Sequence, residues 1–133
     1  MMLSDVRDYI DSLGIADYVY MGKMPGKKDK SIGVYSSKHQ HAYKVAIGGP
    51  ALESYGTKYV TILVHWNKSP GETEEAATSL FDAVTKAREV TVNNVKIKFI
   101  QPLYDLQDVG TDDAGVFEMV VEAAVIYEKG AKI

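Results

Sequence analysis

Apolar and polar residues are spaced along this chain in two clear periods. Nine residues, Lys58–Trp66, read most strongly as a strand, with Val60, Ile62, Val64 and Trp66 on one side and Tyr59, Thr61, Leu63 and His65 on the other. Both sides are largely apolar, which predicts a central strand covered on two faces. Ala16–Met24 and Ser31–Ser36 are weaker strand-like runs, separated by the charged turn Pro25-Gly26-Lys27-Lys28-Asp29-Lys30. Residues 95–101 alternate Val95, Ile97 and Phe99 with Lys96 and Lys98, after a small turn at 90–95, and Pro102 closes the run. A final strand at 116–128 alternates Phe117, Met119, Val121, Ala123, Val125 and Tyr127 against Glu118, Glu122 and Glu128.

The second period is helical. Val6, Tyr9, Ile10 and Leu13 follow the spacing i, i+3, i+4, i+7 in a short helix at 5–13, with Ser4 expected as N-cap and Gly14 as stop. Ser69-Pro70-Gly71-Glu72 is a capping-box sequence with proline at the first helical position. The helix it opens, 70–88, shows an apolar stripe of Ala76, Ala77, Leu80, Phe81, Val84 and Ala87. Acids stand in its first turns and Lys86 and Arg88 in its last, matching the helix dipole. The order is α-β-β-β-α-β-β: an α+β domain with two helices packed on a mostly antiparallel or mixed sheet. Leu103–Gly115 reads as a polar loop. Ser37–Thr57, about twenty residues with Gly48-Gly49-Pro50, fits no element; it is either an element the pattern misses or an arm or hairpin at 37–57 that orders against a partner.

Composition narrows the function classes. At 133 residues the chain is expected to form a single domain, 1–133. It has no cysteine, which removes disulfides, zinc ribbons and thiol nucleophiles. No apolar run is long enough for a membrane span, and the charged start MMLSDVRDYID lacks the apolar core of a secretory signal. Net charge is −3, against a general nucleic-acid binder. The distribution says more: residues 1–21 sum to −3, 22–68 to +6 and 69–133 to −6. Either the signs merely segregate over a solvated surface, or the subunit meets copies of itself head to tail, opposite charge against opposite charge.

Tests for chemistry come out negative. His39, His41 and His65 lack the spacing of a metal site, and His65 is expected to be packed in the sheet. Asp108–Glu118 fails as a calcium loop, because Gly110 falls where a ligand is needed and Asp113 where the turn glycine belongs; its acids are expected to solvate a turn between strands. Gly26–Ser31 lacks the spacing of a phosphate loop. No nucleophile, base and acid fall into a catalytic pattern, and no cofactor is expected. Tyr43, Tyr55 and Tyr104 lie in loops and would serve as interface anchors.

Several stretches, taken in order, resemble the minor capsid proteins of tailed bacteriophages, a family similar in fold to tail terminator and tail completion proteins. These are the N-terminal helix leading into Asp17–Met24, the segment Ser31-Ile32-Gly33-Val34-Tyr35, the Gly-Gly-Pro at 48–50 and the strand Tyr59–Trp66 before a capped helix. The last is Ile100–Leu106 followed by a polar turn at Asp112–Gly115 and the strand Val116–Tyr127. His65-Trp66 and Val109-Gly110-Thr111-Asp112 depart from the family pattern. The resemblance implies a tail-terminator-like fold and a non-enzymatic virion protein made in the bacterial cytoplasm. It implies a ring, commonly of six subunits, that caps the tail tube and offers a surface to the head connector. Self, tube protein and connector protein would be the partners, with no membrane and no specific nucleic acid. Lys27, Lys28, Lys30, Tyr43, Lys44, Tyr55, Tyr104, Asp108, Asp112 and Asp113 are the expected contacts. The alternatives are another head completion or tail tube component, or a small α+β ligand-binding domain or enzyme.

Overall fold

The computed structural model describes residues 1–26, 28–38 and 54–129. Its elements are α1 (Leu3–Ser12), β1 (Tyr18–Met21), β2 (Ser31–Ser36), β3 (Tyr55–His65), α2 (Pro70–Lys86), β4 (Arg88–Val92), β5 (Val95–Pro102), β6 (Gln107–Thr111) and β7 (Phe117–Glu128). The class is α+β and the expected order of elements is kept, with β4 and β6 added to it.

Each boundary has a local cause. The α1 N-cap is Met2 rather than Ser4: the Asp5 carboxylate reaches back one turn and accepts the Met2 amide at 2.8 Å. Ser69 caps α2 as expected, its hydroxyl accepting the Glu72 amide at 3.3 Å, and Asn67 Oδ1 accepts the Ser69 amide in turn. Between β4 and β5, Asn93 and Asn94 both have positive φ, 50° and 63°, and close a two-residue hairpin between Val92 and Val95. Asparagine tolerates that conformation, and its twist matches the flanking strands. The run expected as a small turn is thus a strand plus its turn. The expected loop at 103–115 likewise contains β6.

The strands form one mixed sheet in the order β1-β2-β3-β7-β5-β4. Only β1 and β2 pair in parallel; the other pairs are antiparallel. The twelve-residue β7 is long enough to serve two neighbours on one side. Its second half pairs with β5, and its first half, 117–120, pairs with β6.

Both helices lie on one face. Val6, Tyr9 and Ile10 of α1 and Ala76, Ala77, Leu80 and Val84 of α2 join Ile32, Val34, Val60, Ile62, Val64, Val121, Ala123 and Val125 in one buried cluster. The sheet curls around them, so that α1 touches β1, β2 and, from the far end of the sheet, β4. Asn93 fastens that closure: its amide donates to Asp5 at 3.0 Å and to Asp8 at 2.8 Å. On the opposite face Tyr59, Thr61 and Leu63 are only half-buried. Among the described residues, the two-sided cover expected for β3 is one-sided.

Candidate functional site

At the level where β6 pairs with β7, the sheet is a five-strand layer, β6-β7-β3-β2-β1. One row crosses it in register: Gly110, Glu118, His65, Ser31 and Tyr18. The borders of that layer differ in charge: beside the uncharged strand β1 the exposed Lys23, Lys28 and Lys30 outnumber Asp17 and Asp29, whereas β6 and the turn after it hold Asp108, Asp112 and Asp113 and no basic residue.

The β1 edge is aromatic, and the lysines of its flanking turn exceed the neighbouring acids, Asp17 and Asp29, by one. Tyr18 and Tyr20 stack with ring centroids 6.2 Å apart, and Lys28 Nζ sits 4.8 Å from the centre of the Tyr18 ring. Lys30 adopts a positive φ of 57°, which lets its amide donate to the Trp66 carbonyl at 2.7 Å while its own carbonyl accepts from Asp17. The turn is thereby pinned to the end of β3, with the Lys30 side chain outside. Arg7 Nε donates to the Val19 carbonyl at 3.0 Å, so α1 covers part of this edge. Met21, 51% exposed, completes it.

The β6 edge is acidic. All five of its residues are exposed on both faces, and Val109 is 50% accessible. Asp108 Oδ1 turns back to accept the Gly110 amide at 2.9 Å, where the pairing with β7 slips by one residue. Asp113 is exposed. Asp112 faces inward: its Oδ1 accepts the amides of Ala114 and Val116, and its Oδ2 lies 3.7 Å from His65 Nδ1. Gly115, with a φ of 83°, completes that turn, because a side chain there would be strained.

His65 locks this edge to the middle of the sheet. Its ring is 1% exposed, and Nδ1 lies 2.9 Å from Glu118 Oε2 on the neighbouring strand. An ionised carboxylate can only accept, so Nδ1 is the donor to it. Nε2 is buried and has no hydrogen-bond partner among the described residues. Glu118 also acts on Tyr35: burial first, and the Glu118 charge second, raise that phenol's pKa above 10.0. Four residues along β7, the buried Glu122 accepts Thr61 Oγ1 at 2.7 Å and Ser37 Oγ at 3.5 Å.

The expected contact residues are therefore divided by the fold. Lys28 and Lys30 stand at one edge and Asp108 and Asp113 at the other, while Asp112 holds the turn from inside. Tyr104, 51% exposed, lies between β5 and β6, beside the acidic edge. Tyr55 pairs with Glu128 at the opposite end of β3, ten residues from His65, and joins neither group. Lys27, Tyr43 and Lys44 lie outside the described residues, as does 39–53 of the segment expected as an arm. Its last three residues, Tyr55–Thr57, belong to β3. Sequence reading missed Tyr18, Met21 and Val109 as surface residues, because alternation within a strand does not say which strands stand at an edge.

A helix-backed sheet whose two edges differ in charge and expose apolar groups is suited to contacts with other proteins. The chain belongs to the bacteriophage tail terminator family: the sequence pattern of that family, described as bacteriophage tail terminator protein, matches residues 9–129. It is accordingly a structural component of a phage tail. No curated protein matches the chain. No helix among the described residues is long and apolar enough to cross a membrane.

Proposed function

We propose that the protein is a non-enzymatic ring-forming terminator at the head–tail junction of the virion, which closes the end of the tail tube and presents its other side to the head connector. The observation that carries this reading is the difference in charge between the β1 and β6 borders at one level of the sheet. A subunit with two different complementary edges associates heterologously, and a heterologous contact that closes on itself gives a ring. The family's role at the end of the tail supplies the tube and connector as partners, and six is the subunit number expected from it. Chemistry needs no group beyond the polypeptide, and we include no cofactor.

Negative-stain microscopy of the purified protein mixed with its tail tube protein tests the proposal. Tubes of limited length, each ending in a ring of added density, are the expected result. Tubes that continue to grow, with the protein left unbound, would overturn it.

A further inference from the structure

Resting on the ring reading, we propose which surfaces meet: the β6 edge of one copy docks against the β1 edge of the next, Asp108 and Asp113 facing Lys28 and Lys30, with Val109 and Tyr104 against Tyr18 and Met21.

Three independent observations converge on this pairing. The first is level. Gly110 and Tyr18 end the same five-residue row, so the acidic and basic groups sit at matching heights on opposite edges, four strand spacings or about 19 Å apart. Copies placed side by side therefore bring Asp108 and Asp113 to the level of the β1 border without a shift along the strands, where Lys23, Lys28 and Lys30 outnumber Asp17 and Asp29.

The second is strand direction. β1 is parallel to β2, β2 antiparallel to β3, β3 to β7 and β7 to β6, so β6 runs opposite to β1. Rotation about an axis along the strands preserves each direction. The β6 of one copy then lies antiparallel to the β1 of its neighbour, the more favourable sense for adjacent strands.

The third is the placement of exposed apolar side chains. Of the seven large hydrophobic residues exposed among those described, four belong to these two borders: Tyr18 and Met21 at one, Tyr104 and Val109 at the other. Edge strands are usually blunted against pairing, and β6 is short, bulged and acidic in that way. Its acids repel a second β6 and admit an edge where lysines are in excess, which selects the heterologous contact over the symmetric one. Because Arg7 already occupies the Val19 carbonyl, the contact is made by side chains and charge more than by a complete backbone ladder.

The absence of cysteine makes the test direct. The double variant Tyr18→Cys, Val109→Cys is treated with a short bis-maleimide at low salt and run on a denaturing gel. The expected result is a ladder of covalent oligomers beyond the dimer. Either single variant should give at most a dimer band. The control pair Tyr18→Cys, Ser79→Cys, its second thiol on the exposed face of α2, should give no ladder. Adding Lys28→Glu and Lys30→Glu should abolish the ladder, and so should 1 M salt, where charge is screened beyond about 3 Å. No ladder although both thiols react with a monofunctional maleimide, a ladder equally strong from the Ser79 control, or a ladder indifferent to the charge reversals would each overturn the pairing. Capping of tubes without this ladder would leave the terminator reading standing and remove the interface. A ladder from a protein that caps no tubes would do the reverse.

Discussion

Asn93 ties the β4–β5 turn to α1 through one side-chain amide. It holds Asp8, and with Arg7 it lowers that carboxyl's pKa below the ordinary 3.8. A carboxyl whose folded pKa is depressed stabilises the fold above its unfolded value and loses that contribution as pH falls through the folded one. Asn93→Gly is the informative change, because glycine keeps the positive φ of 50° and removes only the amide. The Asp8 titration, followed by NMR, should move up toward 3.8, and the acid limb of the stability profile should flatten below that pH. An unmoved Asp8 titration would show that Arg7 alone sets it. None of this is legible in the sequence, since Asn93 and Asp8 are 85 residues apart. The α1 cap shows the same limit at short range. Ser4 has the right chemistry, but the acid at Asp5 captures the Met2 amide and starts the helix earlier.

Elements that bury a periodic face were readable, and elements that do not were missed. α2 declares itself by its cap, its stripe and its charge order, and Leu80 stands at the centre of that stripe, wholly buried. Leu80→Ala should cost about 2–5 kcal/mol in denaturant unfolding, the range for removing a packed leucine from a core. A much smaller loss would mean that α2 packs more loosely on the sheet than its burial indicates. β6 offers no such stripe: Gln-Asp-Val-Gly-Thr is exposed on both faces and exists as a strand only because its backbone pairs with β7. β4 lies between these cases. Val90 and Val92 alternate, and the Asn93-Asn94 pair is a strong hairpin signal, but the run is too short to be separated from its turn without the partner strand.

Across the whole molecule, α1 and α2 share one buried cluster with the strands beneath them. Unfolding should therefore be a single transition, with helix content by circular dichroism and the fluorescence of the buried Trp66 changing together. Two separated transitions would show that α1 and β1 come away independently. The alternation of 58–66 and 116–128 and the periodicity of 70–88 determined the class, the element order and which side chains enter the core, because those follow from local spacing and burial alone. The segregation of charge, −3, +6 and −6 along the chain, was also fixed there. Which strands became neighbours was decided only in three dimensions: β7 pairs with β3 and β5 across more than twenty residues of chain and takes β6 as a third partner at the same time. That choice left β1 and β6 as opposite edges of one layer, and so distributed a linear pattern of charge over two borders of the subunit.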